Sequence, residues 1–427
     1  MNRRIKSAWA FYDWANSVYS LVISTAVFPI YFSAVSPEKL HIFGNELPAT
    51  TVYSYVLASS FIIVSLISPF LSGIADYTGS KKAFMRGFCY VGSLACMSMY
   101  FFTDANIWFG LLMSMVASVG FWGSLVFYNA YLPEVCEPDD QDKLSARGFA
   151  LGYFGSSILL IIILAMVQAP DFFGLADSGI ASRIGFLITG LWWLGFAHIT
   201  FAHLPKGPVN PKAERDPRWI FSGYKEIRQV FRNLKKFNSL RRFLYSFFFF
   251  SIGVQTVILL ASLFGEAELG LETSKLIATI LIIQFVGVGG AYLFAAIAKK
   301  YGNMLSLKIC IVIWALVCFA AYTLTSLDPL VEYKFYAIGG VVGLVMGGIQ
   351  SVSRSTYSKM LPATHAHASY FSFYDVSEKV AIVIGTFTYG YLISLTGDMK
   401  TSALALSIFF AIGFLLLLRV KKTDHVH

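Results

Sequence analysis

Residues 204–242 read LPKGPVNPKAERDPRWIFSGYKEIRQVFRNLKKFNSLRR, a basic segment that divides the chain into two parts. On each side of it lie six runs of about twenty mostly apolar residues, and a helix of that length crosses a hydrocarbon core about 30 Å thick. A helix also satisfies its own backbone hydrogen bonds, as the membrane interior requires. The layout predicts an all-α polytopic membrane protein with twelve transmembrane helices in two pseudo-symmetric six-helix bundles.

We place the twelve runs at residues 7–34, 50–75, 83–102, 106–132, 145–170, 181–203, 243–264, 273–298, 303–325, 333–357, 369–395 and 401–418. The predicted domains are an N-terminal bundle (1–203), a cytoplasmic linker (204–242) and a C-terminal bundle (243–427). A soluble protein is excluded, because only 13% of the residues are charged, against roughly 25% in soluble domains. The first run is too long for a signal peptide, so we expect it to remain in the protein.

Lysine and arginine residues are distributed unequally between the two sides of the predicted bundle. Of 33 such residues, 27 fall on the side that holds both termini and the basic segment, and five fall on the opposite side. Cytoplasmic loops are enriched in these residues. We therefore expect both termini and the linker to be cytoplasmic, in a plasma (inner) membrane. This topology explains the net charge of +9, and no nucleic-acid partner is predicted.

The basic segment has two parts. Pro205, Pro208, Pro211 and Pro217 interrupt regular structure and predict an irregular strap over 204–218. Beyond the strap, apolar residues recur at steps of three and four, at Ile220, Tyr224, Ile227, Phe231 and Leu234. Basic residues occupy the other faces, so we predict an amphipathic helix whose apolar stripe enters the acyl boundary and whose cations bind anionic lipid headgroups.

The sequence predicts neither a metal nor a cofactor. The five cysteines lie in or beside apolar runs without metal-ligand spacing, which favours buried packing residues. His365 and His367 are interpreted as part of a solvated loop, and His425 and His427 as part of a loose tail. No phosphate-binding loop, zinc motif or Ser-His-Asp set is found, so an enzyme is not predicted.

Several motifs resemble those of known families. The loop SGIADYTGSKK at 72–82 resembles the loop signature of the major facilitator superfamily, although Ser72, Tyr77 and Ser80 replace its Gly, Arg and first basic residue. The motifs FYDWANS, GFALGY and GGIQSVSRS, which begin at residues 11, 148 and 347, resemble the vacuole effluxer Atg22-like branch. The resemblance implies the facilitator fold and transport. Amino-acid efflux from the vacuole is the function attributed to fungal members.

The resemblance also implies a gate on the cytoplasmic side. Asp76 is expected to meet the positive N-terminal end of the eleventh helix, near Ser369, when this side is closed. The loop after the eighth run, at 298–303, lacks an equivalent aspartate, so the latch should be asymmetric. The candidate gating residues are Asp76, Lys81, Lys82, Arg147 and Lys379.

Asp13 is a carboxylate within the first membrane run. Inserting a carboxylate into the membrane costs about 2.5–3.5 kcal/mol at the centre of the bilayer and less near its surface, so Asp13 needs a partner or a proton. One interpretation is a protonatable coupling site or a site for a substrate ammonium group. The other is structural, with Asp13 pairing with a gate cation or capping a neighbouring helix. Asp13 ranks first as the proton carrier, because its own helix offers no cation at i±3 or i±4.

The eleventh run carries Asp375, Glu378 and Lys379. Asp375 precedes Lys379 by four residues, the favoured order for an ion pair, and Glu378 shares the face of Asp375. The cluster is either a partly wet ion pair or the source of the proton carrier. The proton-coupling candidates are Asp13, Glu378 and Asp375.

The tenth run carries Gln350 and Arg354 near its C-terminal end. Arg354 could bind a substrate carboxylate bidentately, and a gate salt bridge to Asp13 or Glu378 is an equal alternative. The candidate substrate-binding residues are Tyr12, Trp14, Asn16, Asn129, Gln350, Arg354 and Tyr374.

Together these features predict a monomeric secondary active transporter that moves a small polar solute by alternating access, with H⁺ as the candidate coupling ion. The alternative is a membrane receptor or scaffold, or a lipid-handling protein, that keeps the same fold without solute flux.

Overall fold

The structure is a computed structural model that describes residues 2–42, 44–207 and 219–420. Most of these residues are helical. The helices are α1 (Arg3–Val18), α2 (Val27–Val35), α3 (Ala49–Thr78), α4 (Lys81–Ser98), α5 (Ile107–Ala130), α6 (Leu132–Val135), α7 (Pro138–Gln168), α8 (Ser178–His203), α9 (Trp219–Leu234), α10 (Asn238–Ala267), α11 (Thr273–Tyr301), α12 (Asn303–Thr323), α13 (Val331–Met360), α14 (His367–Thr396), α15 (Met399–Ala405) and α16 (Ser407–Leu418). Short 3₁₀ turns occupy Met99–Phe101, Asp104–Asn106 and Pro170–Phe173.

The first membrane segment is not a continuous α-helix. A π-helical stretch, Tyr19–Ala26, joins α1 to α2. After α2, the strands β1 (Lys39–Ile42) and β2 (Asn45–Pro48) pair in antiparallel register, with Lys39 opposite Pro48. We call the side of the molecule that carries this hairpin the hairpin side, and the side that carries α9 the linker side.

Eleven helical segments of the described chain are long and apolar enough to cross a membrane. The other predicted span, α4, is 18 residues long and carries three basic residues within its first six positions. It nevertheless packs between α5 and α8. Gly92 of α4 and Gly120 of α5 face each other: a Cβ at Gly120 would overlap the backbone of Gly92, and a Cβ at Gly92 would overlap the Trp193 ring of α8. The predicted all-α polytopic class is confirmed.

Helices from the two halves of the chain meet mainly along four pairs: α3 with α14, α5 with α14, α7 with α11 and α7 with α13. These contacts bring together residues from α1, α5 and α7 on one side and from α13 and α14 on the other. The functional groups described below lie along this boundary.

The linker helix α9 differs in part from the prediction. Ile227 and Leu234 are buried in the protein, whereas Tyr224 and Phe231 are 55% and 50% exposed. Gly223 explains the difference, because its lack of a side chain lets α9 approach the backbone of α3 near Ile74. Only part of the apolar stripe is therefore available to lipid. The predicted strap lies mostly at 208–218, outside the described residues, and so does the C-terminal pair of histidines.

Candidate functional site

A cavity of about 250 Å³ lies between the two halves of the chain. Residues of α1, α3, α5 and α7 form one wall, and residues of α10, α11, α13 and α14 form the other. The lining continues along the first segment to Ser20, Ser24 and Thr25 in the π-helical stretch, and Thr25 is exposed. The cavity therefore opens toward the hairpin side.

The face of α1 that lines the cavity carries Asp13, Asn16 and Ser17. Neighbouring positions on a helix point about 100° apart, so Tyr12 and Trp14 lie on other faces. The Tyr12 ring packs against Tyr128, and the Trp14 ring stacks on Trp192. Neither residue is among those that line the cavity, which corrects their prediction as substrate-binding residues.

Asp13 and Arg354 form a buried ion pair at the linker-side end of the cavity. Both Nη atoms of Arg354 lie 3.2 Å from Oδ2 of Asp13, and the Tyr128 hydroxyl donates to the same oxygen at 2.8 Å. The exposed fractions of the two side chains are 7% for Asp13 and 3% for Arg354. Of the alternatives left open by the sequence, the structure shows the pair with Asp13.

The remaining donors of Arg354 also find partners in the N-terminal half. Nε donates to the Ser145 hydroxyl and Nη2 to the Ser145 carbonyl, each at 2.9 Å, and Nη1 donates to Asn129 Oδ1 at 3.3 Å. The guanidinium also lies 4.1 Å from the centre of the Phe149 ring. A Cβ at Gly148 would overlap the Asp13 carboxylate, so glycine permits the close approach of α7. Arg354 thus joins α13 to the opposite half.

A second charged cluster lies beside the cavity on α14. Lys379 Nζ is 3.0 Å from Asp375 Oδ1 and 3.2 Å from Glu378 Oε2. Gln255 of α10 donates to the other oxygen of Glu378 at 2.7 Å. Lys379 Nζ also lies 3.5 Å from the centre of the Trp122 ring on α5. The predicted Asp375–Lys379 pair is present, and the same lysine also holds Glu378.

Three polar contacts between the halves lie on the linker side of the cavity. The backbone N–H groups of Ala368 and Ser369, at the start of α14, donate to the Asp76 carboxylate at 3.1 and 2.7 Å. Glu134, which is paired with Lys81, lies 2.8 Å from Nδ1 of His367. The third contact joins α7 to the end of α13.

In that third contact, Asp142 accepts hydrogen bonds from Lys359 and Asn303, each at 2.6 Å. Asp142 belongs to α7 in the N-terminal half, and both donors belong to the C-terminal half. The linker side is therefore held closed by carboxylates of one half and donors of the other.

Three predicted gating residues do not cross between the halves on the linker side. Lys82 donates to the carbonyl of Leu204 at 2.7 Å, and Arg147 donates to the Ser7 hydroxyl at 3.1 Å, both within the N-terminal half. Lys379 lies beside the cavity instead, because it is more than three turns beyond the start of α14 at His367. These positions correct the gating prediction for all three.

Unpartnered polar groups line the cavity. Asn16 Nδ2, Gln284 Oε1 and Ser353 Oγ are buried and make no hydrogen bond to any residue that the structure describes. Gln350 accepts a hydrogen bond from the Tyr153 hydroxyl at 2.6 Å. Tyr374, stacked on an α10 phenylalanine, is also in the lining, as is Asn129. A solute that donates and accepts hydrogen bonds would find free partners here.

Sequence reasoning missed several of these residues. His367 is not part of a solvated loop, since it begins α14 and contacts Glu134. Glu134 and Asp142 gave one usable signal, because they are carboxylates on a side otherwise rich in cations. The five cysteines are buried. Burial raises the pKa of the Cys136 thiol, between α6 and α7, to about 11.

The sequence profile of the family described as "Vacuole effluxer Atg22 like" matches residues 1–425. The chain belongs to this family. It is 32% identical over 421 residues to the uncharacterized MFS-type transporter YxiO of Bacillus subtilis (strain 168), an alignment that covers 98% of this chain and 95% of YxiO. It is 23% identical to autophagy-related protein 22-1 of Penicillium rubens, across 92% of this chain and 80% of the relative.

The fold of this Atg22-like protein matches solved major facilitator structures. The proton:xylose symporter XylE superposes with a TM-score of 0.74 at 14% identity, over 98% of this chain and 95% of XylE. The protein is therefore an MFS-type transporter and a multi-pass integral membrane protein, and it is not an enzyme.

Proposed function

We propose that this transporter moves a small polar solute, an amino acid or a similar molecule, by alternating access, as a monomer in a plasma (inner) membrane. Both termini and the linker side face the cytoplasm. The observation that carries the proposal is the Asp13–Arg354 pair, which joins the two halves at the floor of a cavity that both halves line. The described conformation is the one open to the hairpin side.

Opening the linker side requires the inter-half contacts to separate. Asp76 must leave the start of α14, and Asp142 must leave Lys359, because the partners in each contact belong to opposite halves. The same movement pulls Arg354 away from Asp13. In the proposed cycle, these contacts break when the linker side opens and form again when it closes.

Separation of the Asp13–Arg354 pair leaves two buried charges without partners, and breaking such a pair costs about 3–5 kcal/mol. A proton on Asp13 removes one of these charges. A substrate carboxylate at Arg354, whose two Nη atoms already bind a carboxylate oxygen, compensates the other. H⁺ coupling at Asp13 and carboxylate binding at Arg354 thus support each other, and both favour opening of the linker side.

The cavity suits a small solute with both polar and apolar parts. Its free hydrogen-bonding groups come from both halves, with Asn16 on α1 and Gln284 on α11. Its volume of about 250 Å³ fits a molecule of amino-acid size. Aromatic rings complete the lining at Phe121, Trp122, Phe247, Phe250 and Tyr374.

The exposed part of α9 is proposed to contact anionic lipid. Tyr224 and Phe231 are half exposed, and Lys225, Arg228 and Arg232 are exposed beside them. Aromatic and basic side chains in this arrangement are typical of a helix at the headgroup boundary. Such contact would anchor the linker side at the cytoplasmic surface.

Counterflow in liposomes tests the proposal. Purified protein is reconstituted with an unlabelled mixture of the twenty amino acids inside, and the uptake of each labelled amino acid is measured. Arg354→Gln should abolish exchange, whereas the matched control Arg86→Gln, an exposed cation of α4, should keep it. Absence of exchange for every solute would favour a receptor, a scaffold or a lipid-handling protein.

A further inference from the structure

The cluster formed by Asp375, Glu378 and Lys379 is one positive charge short. It contains two carboxylates and one ammonium group, with Lys379 Nζ within 3.2 Å of both acids. Gln255 contributes a neutral amide donor at 2.7 Å. A net charge of −1 in a membrane-embedded site is unfavourable unless a further cation joins it.

The missing cation has access to one acid in particular. The side chains of Asp375 and Lys379 are 5% and 0% exposed, whereas that of Glu378 is 19% exposed. Glu378 lines the cavity together with Gln255, and Asp375 does not. A solute in the cavity therefore reaches the cluster at Glu378.

Trp122 supplies a second component of a cation site. The Lys379 ammonium lies 3.5 Å from the centre of the Trp122 ring while it contacts Glu378. An aromatic face beside a carboxylate binds ammonium groups through the ring quadrupole and a charge-assisted hydrogen bond. Trp122 also lines the cavity. Lys379 thus shows how this site holds an ammonium group.

We propose that Glu378, Trp122 and Gln255 form the subsite for a primary ammonium group of the transported solute, and that Lys379 occupies it when no solute is bound. The inference rests on the proposed transport function and names the chemistry of one end of the solute. When the solute binds, its ammonium group takes Glu378 and Lys379 remains with Asp375. Two carboxylates then face two cations.

Asp375 has the capacity to accept the displaced lysine. Its Oδ2 atom is buried and has no hydrogen-bond partner among the described residues, while Oδ1 already contacts Lys379. Lys379 can therefore exchange its contact with Glu378 for a second contact with Asp375. Trp122 belongs to α5 and Glu378 to α14. An ammonium group between them consequently joins the two halves across the cavity.

Binding of defined amines to the purified protein in detergent tests the subsite. The probe is 2-phenylethylamine, chosen because aromatic rings line the cavity, and its partner probe is the carboxylate 3-phenylpropanoate. We expect the amine to raise the melting temperature of the wild type saturably. Glu378→Gln should lose this shift for the amine and keep any shift for the carboxylate.

Removal of the competing lysine gives the sharper test. Lys379→Gln should bind 2-phenylethylamine about tenfold more tightly than the wild type, because the site no longer holds its own ammonium group. The double variant Asp375→Asn/Lys379→Gln keeps the net charge of the cluster at −1 and serves if the single variant does not fold. Glu332→Gln, which removes a carboxylate paired with Lys275 on the hairpin side, should bind as the wild type does.

The proposal is overturned if Glu378→Gln binds the amine as the wild type does, or if removal of Lys379 weakens binding. It is also overturned if neither the wild type nor a folded Lys379 variant binds the amine. In that case a proton would neutralise the excess negative charge of the cluster. Binding is measured without transport. If the wild type binds the amine as expected but shows no counterflow, the transport proposal is contradicted and the proposed ammonium subsite is not.

Discussion

At the scale of residues, the decisive feature is that Asp13 and Arg354 each have their counter-ion in the other half of the chain. Their ion pair joins two residues that are 341 positions apart in the sequence. The cost of charges in a membrane run was enough to single out both residues from the sequence. The sequence offered their pairing only as one of several alternatives, because the choice depends on how α1 and α13 are rotated and placed in the fold.

The first prediction concerns proton coupling at Asp13. Asp13→Asn should abolish uphill accumulation of solute driven by a pH gradient and leave some downhill exchange, because the neutral amide mimics a permanently protonated carrier. The measurement is uptake into proteoliposomes with and without an imposed gradient. Asp171→Asn, at an exposed position on the hairpin side, is the control. A variant that still concentrates solute with wild-type pH dependence would make Asp13 structural and Glu378 the coupling candidate.

The second prediction concerns Asp76, which accepts two backbone hydrogen bonds at the start of α14. Asp76→Asn removes the attraction between a negative charge and the positive N-terminal end of α14. The population should therefore shift toward the state that is open on the linker side. The measurement is the labelling rate of a cysteine at Ser353, which lines the cavity beside Arg354. An unchanged rate from the linker side would remove the gating role of Asp76.

At the scale of elements, the periodicity of the sequence predicted helices well and their faces less well. The steps of three and four in α9 correctly indicated an amphipathic helix, yet Ile227 and Leu234 are buried in the protein. A stripe of apolar residues does not reveal whether lipid or protein covers it. The π-helical stretch at Tyr19–Ala26 was also not predicted, because no local residue type marks it.

The third prediction concerns the contact between α9 and α3. A Cβ at Gly223 would lie 2.8 Å from backbone atoms of Ile74, so Gly223→Ala should push α9 away and loosen the linker side. Gly195→Ala is the matched control, because Gly195 is also helical and a Cβ there meets open space. Replacing glycine with alanine should stabilise the helix by up to about 1 kcal/mol at both positions, so this contribution is the same in the variant and its control.

The readouts are the melting temperature and the labelling rate of a cysteine at Ser353. We expect Gly223→Ala to melt at a lower temperature and to be labelled faster from the linker side, and Gly195→Ala to do neither. Equal behaviour of the two variants would show that the close approach of α9 does not stabilise the closed linker side.

At the scale of the whole molecule, composition and run length were sufficient for the fold class. Apolar runs and the asymmetry of basic residues are local properties of the sequence, so the helices and their order could be predicted. The cavity could not, because its lining depends on which face of each of eight helices points inward. Gln255 and Gln284 therefore entered the site only with the structure.

The fourth prediction concerns orientation in the membrane. The 27-to-5 split of basic residues predicts that a reporter fused after Arg419 or inserted near Pro211 is cytoplasmic. A reporter in the β1–β2 hairpin should be external. Alkaline phosphatase and green fluorescent protein fusions distinguish the two sides. An external C-terminus would reverse the assignment of the linker side.

Alternating access means that opening of one side excludes opening of the other, and distances between paired spin labels measure this exclusion. One pair, at Lys143 and Tyr301, reports the linker side, and the other, at Asn45 and Leu327, reports the hairpin side; all four positions are exposed. In the Asp13→Asn/Asp76→Asn variant, we expect the linker-side distance to lengthen and the hairpin-side distance to shorten relative to wild type. Unchanged distances, or distances that lengthen together on both sides, would contradict it.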